Sequence, residues 1–319
     1  MISFFSLGKK GIMKLKVIFL ALLFSMCSSS YQANQDQVKI ISLSTTHTEI
    51  IDQLDAESQL VGIDSFYKTD LLVKRFDAFT VTAEELLLLN PDLVLVAFDF
   101  NGIIEGLEKN NINYAFLPPA RNLEDVYFQI ETIGELVGKK SKAVETTREM
   151  KIKINDIINN SSLEGVSVFH EIGYTYGIYT VNKDSLIGEI YNLLGVDNIA
   201  NFEEDPYGSG YPEFQEKKII KENPQYIVVG HSDYLNKDLS TRSGWGQITA
   251  VKNGNVVYLD ENLANNWGTT TVALIENISD VFEESNQTHK FSESFVLISL
   301  LFLVITTIMY LPNKKKELV

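Results

Sequence analysis

The run Leu86-Leu87-Leu88-Leu89-Asn90-Pro91-Asp92-Leu93-Val94-Leu95-Val96 returns 133 residues later as Ile219-Ile220-Lys221-Glu222-Asn223-Pro224-Gln225-Tyr226-Ile227-Val228-Val229. Each copy reads as a helix stopped at Asn-Pro and followed by a short, fully buried strand. Two copies so far apart, and not in tandem, predict two similar lobes rather than a solenoid. Further apolar runs flank them. Val38 to Leu43, Leu60 to Ile63, Leu93 to Ala97 and Tyr114 to Leu117 are expected strands of a first half. Val166 to Phe169, Tyr226 to Val229 and Val256 to Leu259 are expected strands of a second. Strands of this kind alternating with helical stretches indicate an α/β class with parallel sheets.

The halves need a connector. Asn122 is placed to cap a helix from Leu123, with Glu124 and Asp125 at its positive end and Gly138 as its stop. A second helix is expected from about Ser141 to Asn159. There Ala143, Thr147, Met150, Ile154 and Ile158 form one apolar stripe, long enough to act as a spine along both lobes.

The two ends have a different character. Lys14 and Lys16 precede the apolar run from Val17 to Phe24, and Ser28-Ser29-Ser30 follows, the layout of a secretory signal; Cys27 sits in a weak lipobox-like context. Residues 294–313 contain no charge and are followed by Lys314, Lys315 and Lys316. That pattern predicts a transmembrane helix with its short tail in the cytoplasm and the body outside. The expected organisation is a signal region over 1–35, a binding lobe over 36–122, connecting helices over 123–160, and a second lobe over 161–286. A linker over 287–293, the anchor over 294–313 and a tail over 314–319 complete it.

Charge narrows the partners. Setting aside the eight lysines and two glutamates of the ends leaves nineteen basic against forty acidic side chains, so the body carries about −21 of formal charge. Such a body repels nucleic acid and anionic lipid. A single cysteine excludes an internal disulfide framework. There is no phosphate-cradling glycine loop, no Gly-x-Ser-x-Gly elbow and no paired histidines on a helix, so an enzyme is not expected.

The candidate binding residues follow from the strand ends, because ligands of open α/β sheets collect outside the carboxyl edges. His47, Phe98, Asp99, His170 and His231 occupy such positions. Neutral imidazoles of His47, His170 and His231 converging with Asp99 would suit a bare transition metal. Phe66, Tyr67, Tyr174, Tyr176, Trp245 and Trp267 instead offer flat faces to a bulky chelate, and Arg242 is the main basic group among these loops.

Further stretches belong together with the repeat: Ile40-Ile41-Ser42-Leu43-Ser44-Thr45-Thr46-His47-Thr48-Glu49-Ile50, Leu60-Val61-Gly62-Ile63-Asp64, Glu84 to Val96 and Ile133-Gly134-Glu135-Leu136-Val137-Gly138, then Leu193-Leu194-Gly195-Val196-Asp197-Asn198-Ile199-Ala200 and the run from Trp245 to Tyr258. In this order, over roughly Lys39 to Phe282, the chain resembles the substrate-binding proteins of ABC importers for ferric siderophores, haem and cobalamin. The resemblance implies a bilobed fold, a ligand in the inter-lobe cleft, and delivery to an ABC permease and its ATPase. No cofactor is implied; iron or cobalt would travel within the ligand, an iron chelate or a corrinoid. Proteins of this kind present an exposed Glu to the permease from each lobe. Glu84 fills the first position, while the 133-residue offset puts Lys217 at the second, with Glu216 one residue before it. A non-transport adhesive ectodomain is the remaining alternative.

Overall fold

The computed structural model describes residues 37–231 and 238–283. Cys27, the signal region, the linker, the anchor over 294–313 and the tail all lie outside the described residues. Among those described, no helix is long and apolar enough to cross a membrane.

The fold is α/β with two sheets. The first is built from β1 (Ile40–Leu43), β2 (Leu60–Asp64), β3 (Lys74–Phe76), β4 (Leu93–Val96) and β5 (Tyr114–Phe116), in the order β3-β2-β1-β4-β5. All four pairings are parallel. β1 is buried at every residue, as a central strand covered on both faces must be. The chain winds outward from β1 to β3 and then returns to β4 on the other flank. The strand order therefore reverses between β1 and β4, and a crevice opens at their carboxyl ends.

The second sheet has β6 (Ser167–Gly173), β7 (Tyr179–Thr180), β8 (Asp197–Asn198), β9 (Tyr226–Val229) and β10 (Val256–Tyr258), in the order β10-β9-β6-β7, with β8 also paired to β6. Only β7 runs antiparallel to its neighbour. The repeated sequence is repeated in backbone geometry. Asn90 and Asn223 both adopt left-handed φ values, 47° and 50°, at the turn before their strands. Asparagine tolerates that region better than most residues, which explains why it precedes proline in both copies.

Between the sheets lie α4 (Leu123–Leu136) and α5 (Lys140–Asn160). Asn122 caps α4 by accepting from the Asp125 amide at 2.8 Å. A Cβ on Gly134 would fall 2.3 Å from the Ala143 Cβ, so glycine is what lets the two helices approach. Ala143, Thr147, Met150 and Ile154 of α5 are buried, and its 21 residues span roughly 30 Å. One hydrophobic core runs from Ile40 and Leu95 of the first sheet, through Ile130 and Ile154 of the spine, to Val168 and Val228 of the second. The opposite faces of the two sheets have cores of their own.

The chain then returns to the first half. Residues 265–270 hydrogen-bond to α1 (Thr45–Gln53), and a helix over 271–283 packs Leu274, Ile278 and Phe282 into the shared core. Residues 265–270, expected with the second lobe, are thus fastened to the first, while Phe282 packs on Tyr191 and Tyr226 of the second.

Candidate functional site

A cavity of about 590 Å³ opens at the reversal point of the first sheet. Leu43, Ser44 and Thr45 enter it after β1; Asp64, Phe66, Tyr67 and Lys68 after β2; Ala78 and Phe79 after β3; Phe98 and Phe100 after β4. Asn265, Asn266 and Trp267 of the returning segment close it. Its wall is a chain of aromatic rings. Phe66 meets Phe79 edge-on at 6.3 Å, Phe79 stacks on Phe100 at 4.6 Å, Phe100 on Phe98 at 5.0 Å, and Phe98 meets Trp267 edge-on at 6.2 Å. Phe66 remains 63% exposed and Phe98 43% exposed, so their faces are open to a guest. Exposing several large aromatics together at a crevice forgoes burial that folding alone would favour.

Two polar groups of the cavity, Asp64 and Tyr67, already have partners within the protein. Asp64 accepts from the Phe66 amide at 2.8 Å, and burial holds its carboxyl above the usual range. The Tyr67 hydroxyl donates to Asp52 at 3.5 Å. Burial, with the charges of Asp52 and Glu49, pushes its phenol up to about 12. Phenolate chemistry at Tyr67 is therefore remote from neutral pH.

Trp267 is held from behind. Its indole N–H donates to Gln129 Oε1 at 3.1 Å, while Gln129 Nε2 donates to the Pro118 carbonyl at 2.6 Å. The ring of His47 lies edge-on beneath it at 6.4 Å. His47 is fully buried in α1, and neither ring nitrogen meets hydrogen-bond geometry. Desolvation lowers its pKa to about 4, with Gln129 and the Leu117 backbone opposing only in part. On either side of Trp267, the hydroxyls of Thr45 and Thr46 donate to Asn266 Oδ1 at 3.0 Å, and Glu49 accepts from Thr269 and Thr270. The cavity wall is thereby fixed before any ligand arrives.

The carboxyl edge of the second sheet is organised differently. Glu171 is buried in β6 and binds Arg242 through two contacts, at 2.5 and 3.0 Å. His231 Nε2 lies 2.9 Å from the same carboxylate. The guanidinium is sandwiched between the rings of Tyr174, at 3.7 Å, and Trp245, at 4.4 Å. Trp245 is 0% exposed and donates its indole N–H to Glu216 at 2.7 Å. His170 is buried in β6, its Nδ1 2.8 Å from the Tyr191 hydroxyl. Burial, and to a lesser degree His231, lowers its pKa to about 3. A Cβ on Gly230 would come within 2.8 Å of His170 Nε2, so the imidazole depends on that glycine.

Several sequence expectations change with this geometry. Of the three histidines expected on cleft loops, His47 is inside a helix and His170 inside a strand, and only His231 follows its strand. No group of three or more His, Cys, Asp or Glu side chains among the described residues is arranged to hold a metal. Asp99 is exposed and bonds the Ile104 amide at 3.0 Å, capping a helix rather than lining the cavity. Arg242 is neutralised by Glu171, and Trp245 is core, because a buried carboxylate recruits the guanidinium and the rings shield it. Tyr174 covers that guanidinium, while Tyr176 is 94% exposed and outside the cavity lining. Phe66, Tyr67, Phe98 and Trp267 are the expected residues that line the cavity together. Phe79 and Phe100 are additional. Phe79 follows β3, whose sequence Lys74-Arg75-Phe76 carries no apolar run to announce a strand.

Glu84 is exposed at the second position of α2 (Ala83–Leu87), clear of the capping box formed by Thr82 and Glu85. In α7 (Glu216–Glu222), Glu216 has one oxygen committed to Trp245, and Lys217 is the exposed residue at the second position.

Comparison with known proteins agrees with this architecture. The family described as "Periplasmic binding protein" matches residues 40–263. A Bacillus subtilis protein, the uncharacterized ABC transporter substrate-binding lipoprotein YvrC, is 29% identical over 76% of this chain and 79% of its own length. A cobalamin-binding protein of Halobacterium salinarum is 24% identical over 77% of this chain and 70% of its own. The periplasmic vitamin B12 binding protein BtuF of Vibrio cholerae shares the fold, with a TM-score of 0.66 and 20% identity, over 78% of this chain and 97% of its own.

Proposed function

The chain belongs to the periplasmic binding protein family, and from that premise we propose that it is the substrate-binding component of an ABC importer of the iron, haem and cobalamin type. Its cargo is a metal complex whose coordination sphere is already filled, a corrinoid first and a ferric chelate second, so iron or cobalt enters as part of the ligand. The observation that carries this reading is the wall of the cavity. Six aromatic side chains line it, four phenylalanines, Trp267 and the Tyr67 phenol held at about 12, and no imidazole or thiol is among its described lining residues. Such a surface binds a flat, bulky ring system by burial and stacking, and Asp64, already bonded to the Phe66 amide, is the one carboxylate among its described lining residues. The cobalamin-binding relative supports the choice of a corrinoid. Bare-metal binding through His47, His170 and His231 loses its support, since His47 is buried under Trp267 and His170 inside its strand.

The body acts on the extracytoplasmic side of the membrane, held there by the segment 294–313 or by lipid on Cys27; the lipoprotein relative favours some form of anchor. The permease and its ATPase are the partners. The test is a thermal-shift screen of the detergent-solubilised full chain with cyanocobalamin, haem, ferric siderophores and bare divalent metals. A corrinoid or chelate is expected to raise the melting point, because it binds only the folded state. Replacing Phe98 and Phe100 by alanine is expected to weaken that ligand by about 1 to 3 kcal/mol. A response to bare metal alone, or to nothing, overturns the assignment.

A further inference from the structure

A second, shallower cavity of about 540 Å³ adjoins the aromatic one and is lined by Ser65, Tyr67, Lys68, Thr69, Asp70 and Arg75. Tyr67 and Lys68 line both, so they form the ridge between them. The two compartments differ in chemistry. The first is walled by rings; the second has two cations, one carboxylate and, besides the Tyr67 phenol, two aliphatic hydroxyls.

Arg75, on the edge strand β3, organises this ridge. Its guanidinium donates to the carbonyls of Tyr67 at 2.7 Å, Thr69 at 2.8 Å and Ser65 at 3.5 Å, drawing residues 65–69 into one fixed loop. Those partners are neutral, so the positive charge is not cancelled. Lys68 is exposed, and neither it nor Arg75 is in an ion pair among the described residues. Against Asp70 the compartment keeps a net charge of +1, on a chain whose formal charge is −15. A local positive site in an acidic field selects an anion by contrast with its surroundings.

We propose that this second cavity receives an anionic arm, phosphodiester or carboxylate, of the same ligand whose ring system lies against the phenylalanines, with Lys68 as the ion-pair partner and Arg75 as fixed charge behind it. The proposal rests on the reading of the aromatic cavity as a ring-system site. It also reassigns the recognition of negative charge from Arg242, whose charge Glu171 absorbs, to a loop of the first lobe.

Two probe pairs separate ring from arm. Cyanocobalamin carries a phosphodiester arm that dicyanocobinamide lacks on the same corrin ring, and haem carries carboxylates that its dimethyl ester masks. The full chain, as wild type, Lys68→Glu and Lys68→Arg, is titrated with all four. The wild type is expected to prefer the anionic member of whichever pair binds. Lys68→Glu should reduce that preference roughly 3- to 10-fold, Lys68→Arg should keep it, and added salt should shrink it. Preference for cyanocobalamin over dicyanocobinamide assigns a phosphodiester, and preference for haem over its ester assigns a carboxylate. No preference in the wild type, or the same preference in Lys68→Glu, overturns the anionic subsite and leaves the ring site standing. Binding of none of the four probes overturns the subsite, and if ferric siderophores also fail to bind, the ring site falls with it.

Discussion

The carboxyl edges of the two sheets hold the same position in the fold and have opposite chemistry. In the first half, rings stack on rings and their outer faces remain open: Phe79, Phe98 and Phe100 satisfy one another only in part. In the second, Tyr174 and Trp245 sandwich an arginine that is itself consumed by a buried glutamate. A strand-end aromatic is available to a guest only when no internal cation or carboxylate has claimed it. Topology names the place; the polar neighbours decide whether it is free.

The most damaging way to probe this contrast is to break the occupied side. Arg242→Ala leaves Glu171 buried with only His231 beside it, and unfolding by urea is expected to show a loss of about 3 kcal/mol. Replacing the pair together, Glu171→Gln with Arg242→Met, should cost less than Arg242→Ala alone, because no buried charge is left over. Should Arg242→Ala abolish ligand binding at unchanged stability, the second edge is the ligand face and the contrast is inverted.

Acid probes the support beneath the open side. Burial holds His47 near pKa 4 against 6.5 in the unfolded chain. Above pH 6.5 both states are neutral and nothing is lost. As the pH falls from 6.5 toward 4, the unfolded chain takes up a proton that the folded chain refuses, so stability declines. At pH 4.5 this amounts to about 2 to 3 kcal/mol from His47. His170 adds a loss that continues to about pH 3. Glu49, whose carboxyl is raised by burial, acts with the opposite sign and gains stability as it protonates. Comparing urea unfolding at pH 7 and 4.5, His47→Leu should therefore lose about 2 kcal/mol less than the wild type. An identical loss in both would mean that the ring finds water or a partner in the acid state.

Much of the scaffold was legible because its signals are local. Paired Asn-Pro turns, apolar strands and a stripe at helical spacing each report on their own neighbours, and the observed strands and spine fall within a few residues of the expected ones. The candidate cavity was legible at Phe66, Tyr67 and Phe98, which follow strands of the first sheet, and at Trp267 only as a loop aromatic beside glycine, its return to the first half being unannounced. Trp245 and Arg242 were misread because glycine-flanked aromatics and loop arginines look exposed in sequence. Nothing in that sequence marks the buried Glu171, 71 residues before Arg242, that draws them inward. Phe79 went unseen for a related reason: its strand is an edge of three residues, two of them charged and exposed.

Gln129 offers a finer test, because it holds the lining residue Trp267 from behind without itself lining the cavity. Gln129→Leu keeps the volume and removes both hydrogen bonds, leaving the Trp267 indole free to turn. Ligand affinity is expected to fall by about 1 kcal/mol. Trp267 emission, read in a Trp245→Phe background, should shift in the ligand-free protein, whereas Gln129→Glu, which retains an acceptor, should restore much of the wild-type spectrum. A loss of global stability with unchanged emission would reduce Gln129 to a packing residue.

The smallest expected effect lies on the outer surface, where the two halves differ again. Glu84 projects from the first turn of its helix with no capping duty, whereas the matching position of the second half is Lys217, and Glu216 beside it is tied to Trp245. One residue along a helix turns a side chain by about 100°, so Glu216 does not present its charge as Glu84 does. A permease that reads both halves therefore meets a carboxylate on one and an ammonium on the other. Exposed pairs contribute about 0 to 1 kcal/mol each and act mainly on the encounter rate. Glu84→Arg is accordingly expected to slow uptake and permease association several-fold at low salt, with ligand affinity unaltered. Glu216→Arg should slow them less and should also cost stability through Trp245. If the Glu84→Arg, Glu216→Arg double variant imports its ligand at the wild-type rate, docking does not use this pair, and the asymmetry between the halves ends at the ligand.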